Sequence, residues 1–237
     1  MKIPCIKTQS ASDAWRSIQS DERSFSHAKK LINSTGKYSK EAALMLRHVS
    51  EFVTLYCAPD MLGMRLFPNA KEISESFAAF DAARYKLPTF DISDPSIALI
   101  AVGDGATPRT AATFAFRSKW ACYSVDPLLR GGTKRWSAIN RLTVCAQKIQ
   151  SFKIKCDRAV LVAVHSHAKL SDCLPSIHAR ELAVIAMPCC VRLEIPGVDP
   201  VITYESRGVI SPMRTIKIWH LLFDQFCTSI QKKGGCG

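Results

Sequence analysis

The chain has 237 residues, of which 47% are hydrophobic and 22% are charged, so it is long enough for one α/β domain with an extension and has the apolar content of a folded core. Its 32 Lys and Arg against 20 Asp and Glu give a net charge of +12, a balance that favours a polyanionic partner, with nucleic acid ahead of an anionic membrane. No apolar run approaches about 18 residues, and residues 1–20 lack the apolar stretch of a signal peptide, so the sequence predicts no transmembrane helix and no membrane partner.

The ten cysteines include no Cys-x-x-Cys pair, which argues against a zinc ribbon and against a thioredoxin-like redox motif. Four of them lie within apolar runs, where a thiol behaves as a small hydrophobic side chain. Cysteines used in this way within an α/β pattern are typical of a reducing compartment, so we expect a cytoplasmic protein.

Residues 1–90 have the pattern of a helical extension. Apolar residues recur at near-helical spacing over 12–32, again over 39–58 after a turn, and a third time over 70–85. We interpret these apolar stripes as core packing, and the extension as a candidate contact surface for a protein partner.

Beyond residue 90 the pattern changes to strands that alternate with helices. The strands are short apolar runs, predicted at 97–102, 120–125, 140–145, 158–164 and 182–187, with two more near 201–204 and 215–221. Helices are predicted at about 109–117 and 170–180. Because near-continuous apolar runs are typical of strands buried on both faces, the sequence predicts an α/β fold with a Rossmann-like, mainly parallel sheet. This domain is expected to cover residues 91–231, followed by a flexible tail at 232–237.

A glycine turn follows the first predicted strand and carries the clearest functional signal. Gly103 and Gly105 let the backbone approach a ligand closely, and the next helix presents its N-terminus at the same place. About 20 residues later the second strand ends at Asp126, whose carboxylate is placed to accept hydrogen bonds from ribose hydroxyls. The pattern predicts an adenosine-containing ligand bound by Gly103, Asp104, Gly105, Asp126 and Pro127.

Two cofactor classes use such a turn, the nicotinamide dinucleotides and S-adenosylmethionine (SAM). A pyrophosphate needs several free amides at the helix tip, but Pro108 removes one of them and Asp104 adds a negative charge. SAM has no phosphate and carries a sulfonium cation, which tolerates an acid in the turn. The residues therefore favour SAM, with a nicotinamide-dependent oxidoreductase as the other alternative.

Short motifs follow the fourth and fifth predicted strands. They are His165-Ser-His-Ala, then Ser-Asp-Cys-Leu over 171–174, and Ile185-Ala-Met-Pro-Cys-Cys190. Over about 96–190 the chain resembles a subgroup of SAM-dependent methyltransferases, which includes tRNA ribose methyltransferases. That subgroup has His-x-Cys followed by Gly or Asp after strand 4, and Pro-Cys-Cys or Gly-Cys-Cys after strand 5.

The resemblance implies a methyltransferase that uses SAM as its cofactor. It implies SAM contacts at Gly103, Gly105 and Asp126, with His165 lining the pocket. The chain departs from the subgroup at His167, where Cys is usual, and again two residues later, where it has Lys in place of an acid.

The same strand ends raise the alternative of a zinc site. His165, His167, Cys189 and Cys190 offer four ligands of the right types. Adjacent residues on a strand face opposite sides, however, so the two cysteines would share a metal only from an irregular loop. The sequence favours a site without metal.

A basic stretch over 127–137 follows the second strand. Its cations are placed to neutralise phosphates, and its Trp136 is placed to stack on a base, unless that ring packs back on the sheet. Arg109 and Arg117 are expected to flank the same edge. The residues assigned to nucleic acid are Arg109, Arg130, Lys134, Arg135 and Trp136.

Taken together, these features predict a SAM-dependent methyltransferase that acts on RNA. The Asn-Pro-Pro-Tyr signature of amino-group methyltransferases is absent after strand 4, and no Lys-Asp-Lys-Glu set for ribose methylation can be identified, so no catalytic residue is assigned. The alternative is a catalytically inactive methyltransferase-fold protein that binds RNA or a protein as a structural component.

Overall fold

A computed structural model describes residues 40–129 and 135–222 of the chain. The first predicted helix, over 12–32, and the predicted tail at 232–237 lie outside these residues. The described helices that precede the sheet are α1 (Lys40–Met45), α2 (Arg47–Thr54), α3 (Ala58–Gly63) and α4 (Ala70–Lys86). The single helix predicted over 39–58 is therefore divided, and Pro59 stands in the first turn of α3, where its missing N–H is not needed.

Helix α4 forms as predicted, and its ends show why. The Asn69 side chain accepts a hydrogen bond from the backbone N–H of Glu72 at 3.0 Å and so caps the N-terminus. Arg84 and Lys86 in the last turn complement the negative end of the helix dipole. Among the helices of the described residues, none is long and apolar enough to cross a membrane.

Seven strands form one sheet, which confirms the predicted α/β fold with a mainly parallel sheet and helices before it. The strands are β1 (Ile97–Val102), β2 (Ala121–Val125), β3 (Leu142–Cys145), β4 (Ile154–Val164), β5 (Ile177–Met187), β6 (Ile202–Glu205) and β7 (Thr215–Leu222). Their order in the sheet is β3-β2-β1-β4-β5-β7-β6. The first five strands are parallel, and β7 runs antiparallel to both of its neighbours.

The prediction of a helix over 170–180 is wrong. Only a single turn forms there, α6 (Leu170–Cys173), and a 3-10 turn at Leu174–Ser176 leads directly into β5. Buried and exposed residues alternate over 177–180, the period of a strand with one solvated face. The same alternation opens β4, so both strands begin earlier than their continuous apolar runs.

Helix α5 (Arg109–Arg117) connects β1 to β2 and packs with α4 over the same core as the sheet. Because α5 runs back along the sheet, its two terminal arginines lie at opposite edges, and the prediction that they flank one edge is wrong. The Arg117 guanidinium lies 4.6 Å and 4.2 Å from the ring centres of Phe77 and Phe80 and pairs with Glu51.

The β1–α5 turn and the loop after β4 meet at Gly103. A Cβ atom built at this glycine would lie 2.4 Å, 2.6 Å and 2.9 Å from Oγ, Cβ and Cα of Ser166, and its φ is +81°. Gly105 also has a positive φ, of +75°, but only the flexible end of Arg109 lies near its missing Cβ. Glycine is therefore required at position 103 for two independent reasons, the positive φ and the lack of space for a Cβ atom beside Ser166.

We expect Gly103→Ala to destabilise the protein more than Gly105→Ala. Both substitutions place a side chain at positive φ, which costs about 1–2 kcal/mol, and Gly103→Ala adds an overpacking cost of roughly 1–3 kcal/mol against Ser166. Urea unfolding of both variants measures the difference. Ser166→Gly in the Gly103→Ala background should recover part of the loss, and equal destabilisation by the two alanines would contradict this account.

Candidate functional site

The candidate site lies where β1, β2 and β4 end at one edge of the sheet. The strand pairing brings Val102 of β1 opposite Val125 of β2, so the turn after β1 and the acid after β2 are neighbours. The backbone N–H of Gly103 donates to the Val125 carbonyl at 3.2 Å. Open α/β sheets bind their ligands at such carboxyl ends.

Asp104 caps the helix that follows it. One carboxylate oxygen accepts the N–H of Thr110 at 3.0 Å, and the other accepts the N–H of Ala111 at 3.2 Å and the Ser124 hydroxyl at 2.8 Å. The residue is 3% exposed. This corrects the assignment of the Asp104 side chain to the cofactor, because its carboxylate is turned into the helix tip and its oxygens are already bonded.

Asp126 stands at the predicted strand end and binds the glycine turn. Its Oδ2 accepts the Gly105 N–H at 2.8 Å, and its Oδ1 accepts the Leu128 N–H at 2.7 Å. Each carboxylate oxygen has a second acceptor position beyond these bonds. Asp126 itself is 7% exposed, and Pro127 next to it is exposed at the surface of the loop.

His165 follows β4 and points to α4 and to the segment before β7. Its φ is +50°, an unusual value for a residue with a side chain. Its Nε2 donates to the Met213 carbonyl at 3.0 Å, and its Nδ1 lies 3.3 Å from a carboxyl oxygen of Glu75. Burial lowers the pKa of His165 below its usual value.

Glu75 of α4 is a site residue that the sequence did not reveal. It is 1% exposed, its Oε1 forms an ion pair with Lys71 Nζ at 3.0 Å, and neither carboxyl oxygen has a hydrogen-bond partner among the described residues. Burial, helped by the charge of Glu72, raises the pKa of Glu75 to about 7. A carboxyl group with such a pKa can take or give a proton near neutral pH, which is the behaviour expected of an acid–base group.

Glu75 and His165 together can hold one proton. A carbonyl only accepts hydrogen bonds, so the bond to Met213 requires the proton of neutral His165 to be on Nε2. Nδ1 is then an acceptor, and protonated Glu75 can donate to it across the 3.3 Å separation. The geometry thus allows one proton to be shared between Glu75 and His165, with the Lys71 ammonium 3.0 Å from the same carboxyl oxygen.

Arg109 links Glu72 of α4 to the glycine turn. Its guanidinium pairs with Glu72 and donates to the backbone carbonyl of Asp104. The assignment of Arg109 to nucleic acid is therefore corrected, because the side chain is mostly buried and its charge is matched by a carboxylate.

The predicted nucleic-acid residues are only partly described. Arg130 and Lys134 lie outside the described residues, and Arg135 is exposed. Trp136 is 1% exposed and belongs to the core, with the Arg135 guanidinium 5.5 Å from its ring centre. The prediction that Trp136 stacks on a base is wrong, and the alternative in which it packs back on the sheet holds.

The spacing of Glu75 explains why the sequence did not reveal it. Lys71 and Glu75 stand four residues apart on α4, which is the pattern of an exposed ion pair on a helix surface. Only the packing of α4 on β4 and β5 buries the carboxyl group. The one available signal was the row of small residues around it, Ser74 and Ser76, which let a helix lie close to a sheet.

Comparisons with known proteins give structural likeness without sequence likeness. No protein-family model matches the sequence, and no curated protein matches it. Among solved structures, a point mutant of MtNAS has 9% identity and a TM-score of 0.47, with 90% of this chain and 95% of that chain covered.

Two further structures are methyltransferases. The magnesium protoporphyrin IX methyltransferase ChlM from Synechocystis PCC 6803, with bound SAM, has 10% identity and a TM-score of 0.44, over 84% of this chain and 96% of that chain. The 23S rRNA methyltransferase ErmE has 14% identity and a TM-score of 0.39, over 63% of this chain and 66% of that chain. These likenesses are structural only, so the predicted resemblance to SAM-dependent methyltransferases and to their subgroup stays a prediction.

We expect Glu75→Gln to change how stability depends on pH. Folding raises the Glu75 pKa from 4.5 to about 7, so the folded state holds an extra proton between these values, and its stability falls as pH rises through them. The variant carries no ionisable group at this position and should lose less stability between pH 4.5 and pH 8 than the wild type.

Urea unfolding at a series of pH values measures this effect. Glu194→Gln is the matched control, because that carboxyl group is exposed and pairs with Lys217. Parallel pH profiles for the wild type and Glu75→Gln would show that Glu75 is already ionised in the folded protein at low pH.

Proposed function

We propose that this protein is a SAM-dependent methyltransferase that binds its cofactor at the carboxyl ends of β1 and β2 and acts on RNA. One observation carries the choice of cofactor. The Asp104 carboxylate occupies the amides of Thr110 and Ala111 at the tip of α5, which is where the pyrophosphate of a dinucleotide would bind. A phosphate there would meet a buried negative charge, whereas a sulfonium cation would not be repelled.

The residues at this edge fit an adenosyl ligand. Gly103 and Gly105 keep the turn free of side chains, and Asp126 has acceptor positions to spare for ribose hydroxyls. Pro127 offers an exposed apolar surface beside that carboxylate. These residues, with His165 at the end of β4, are the proposed cofactor contacts.

Bound SAM would supply an electrophilic methyl group on sulfur, and the chain must position the acceptor and manage its proton. Glu75 is the proposed proton acceptor. Its buried carboxyl group, with a pKa of about 7, can take up a proton near neutral pH. His165 holds Glu75 in place from one side and Lys71 from the other.

The charge of the chain supports a polyanionic acceptor. Of the 32 Lys and Arg, eleven lie in residues 1–39, 130–134 and 223–237, which together contain only four Asp and Glu. The basic character is therefore concentrated outside the described core, and 130–134 directly follows the β2 end of the proposed cofactor site. Cations this close to Asp126 along the chain favour an acceptor with a phosphate backbone.

We expect S-adenosylhomocysteine (SAH), the demethylated product, to bind with micromolar affinity in isothermal titration calorimetry. Asp126→Asn keeps the size of the side chain but removes the charge and one acceptor atom, and it should weaken binding at least tenfold, or about 1.4 kcal/mol. NADH should not bind.

The matched control is Asp157→Asn, which changes an exposed acid on β4 that pairs with Arg180. Circular dichroism confirms that both variants are folded. Tight binding of NADH, or SAH affinity that is equal in the Asp126 and Asp157 variants, would contradict the proposed cofactor site.

We expect RNA affinity to fall steeply with salt, because each phosphate contact releases condensed counterions. A triple variant, Arg130→Ala with Lys134→Ala and Arg135→Ala, should reduce the slope of log affinity against log salt by about 2, since each contact contributes about 0.7–0.9. Fluorescence anisotropy with a labelled RNA hairpin measures the slope.

The matched control is a second triple variant that removes three exposed cations at the start of β4 and β5, Lys153, Lys155 and Arg180. Equal slopes in the two triple variants would contradict RNA binding through 130–135.

One observation favours a second function, a non-catalytic RNA-binding or protein-binding component. The Asp104 carboxylate already accepts the amides of Thr110 and Ala111, and the Gly105 amide already donates to Asp126. A turn completed in this way keeps its shape without a ligand. RNA binding with no affinity for SAM or SAH would select this second function.

A further inference from the structure

Three metal-ligating side chains converge where β4 and β5 end. Nε2 of His167 and the Sγ atoms of Cys189 and Cys190 all lie within 4.8 Å of one another. The two sulfurs are 3.6 Å apart, and Cys190 Sγ is 3.4 Å from the imidazole nitrogen. Cys190 is exposed and Cys189 is half-buried, so solvent reaches the group.

The chain after β5 explains how adjacent cysteines come to face the same side. Strand β5 ends at Met187, and the next residue is Pro188, which lacks the N–H needed to continue the ladder. Cys189 and Cys190 therefore lie in an irregular bend, where the alternation of a strand does not apply. This is the irregular loop that a shared metal requires.

His165 does not join the group, although the sequence offers it as a fourth ligand. Its Nε2 donates to the Met213 carbonyl, and its Nδ1 faces Glu75. The Cys189 thiol instead contacts the His165 backbone carbonyl, with 3.7 Å between sulfur and oxygen. The set is thus one imidazole and two thiols, with the fourth position of a tetrahedron open.

The spacing fits a tetrahedral ion. With zinc–sulfur bonds of about 2.3 Å and a zinc–nitrogen bond of about 2.0–2.1 Å, a tetrahedral site has a sulfur–sulfur edge of about 3.8 Å and a sulfur–nitrogen edge of about 3.6 Å. The two separations that involve Cys190 are each about 0.2 Å shorter, and the third, between Cys189 and His167, lies within 4.8 Å, so rotation of the side chains would bring all three to one ion.

We propose that His167, Cys189 and Cys190 form a site for a thiophilic divalent metal, of which zinc is the type, with one open coordination position. Binding converts both thiols to thiolates and releases their two protons to solvent, while the imidazole binds in its neutral form. A Cys₂His set with an open position can polarise a bound water or a substrate donor atom. The proposal rests on the geometry of these three residues and does not require SAM binding.

A second cluster of possible metal ligands among the described residues is already neutralised by arginines. His48, Glu51 and Asp81 also approach one another, but Arg47 pairs with Asp81 and Arg117 pairs with Glu51. Two guanidinium groups already neutralise those carboxylates, and a cation would have to displace them. Among the described residues, no arginine forms an ion pair with His167, Cys189 or Cys190.

Cobalt titration of the full-length, reduced and chelator-treated protein tests the proposal. The background carries Cys5→Ser, Cys227→Ser and Cys236→Ser, which removes the thiols outside the described residues. One Co²⁺ per chain should bind and give a thiolate-to-cobalt charge-transfer band, with visible bands of tetrahedral intensity. Zinc added in equimolar amount should displace the cobalt and abolish the bands.

Single variants distinguish this site from adventitious binding. His167→Ala, Cys189→Ser and Cys190→Ser should each weaken cobalt binding at least tenfold, whereas Cys156→Ser, on the far part of β4, should leave it unchanged. Circular dichroism confirms folding. Binding that is equal in all four variants would overturn the proposal, and so would a failure of the reduced protein to bind either metal. If the isolated protein carries a Cys189–Cys190 disulfide and binds no metal after that disulfide is reduced, the two cysteines are a redox pair and the metal site is refuted.

Discussion

The site edge depends on the Asp104 carboxylate, which holds the turn after β1, helix α5 and strand β2 in one arrangement. It caps the N-terminus of α5 through Thr110 and Ala111 and bonds the hydroxyl of Ser124 on β2. A buried carboxylate is stable only when its oxygens are bonded in this way. Asp104 lies between two glycines at positive φ, and the first of them, Gly103, lies against Ser166 after β4. The position of the glycine turn in the proposed cofactor site therefore depends on this interaction.

The acids at this edge of the sheet fall into two groups, which differ in their hydrogen bonds. Two carboxylates whose oxygens all accept hydrogen bonds, Asp104 and Asp126, shape the turn at β1 and β2, and Asp126 keeps further acceptor positions. A carboxyl group that is buried but only partly bonded, Glu75, lies beside β4, and its pKa is raised. Arg109 joins the same helix to the turn by binding Glu72 of α4 and the Asp104 carbonyl. Binding and proton transfer would thus use different acids at one edge of the sheet.

The sequence predicted the features that arise from local rules and failed where packing decides. Continuous apolar runs located β1 and β2, and helix α5 formed over the predicted range, because each depends on a periodicity within a few residues. The start of β5 was missed, since its first half alternates and follows a proline. Asp126 was found at its strand end, but the role of Asp104 as a helix cap, the burial of Trp136 and the convergence of His167 with the two cysteines all depend on residues distant in sequence.

The structure of the protein crystallised with SAH tests the central claim most directly. The account predicts the ribose hydroxyls of SAH within hydrogen-bond distance of the Asp126 carboxylate, with the adenosine over the ends of β1 and β2 and Asp104 still bonded to Thr110 and Ala111. If SAH lies elsewhere, or if the edge stays closed with Asp126 bonded only to Gly105 and Leu128 at saturating SAH, the proposed cofactor site is contradicted and only the architecture stands.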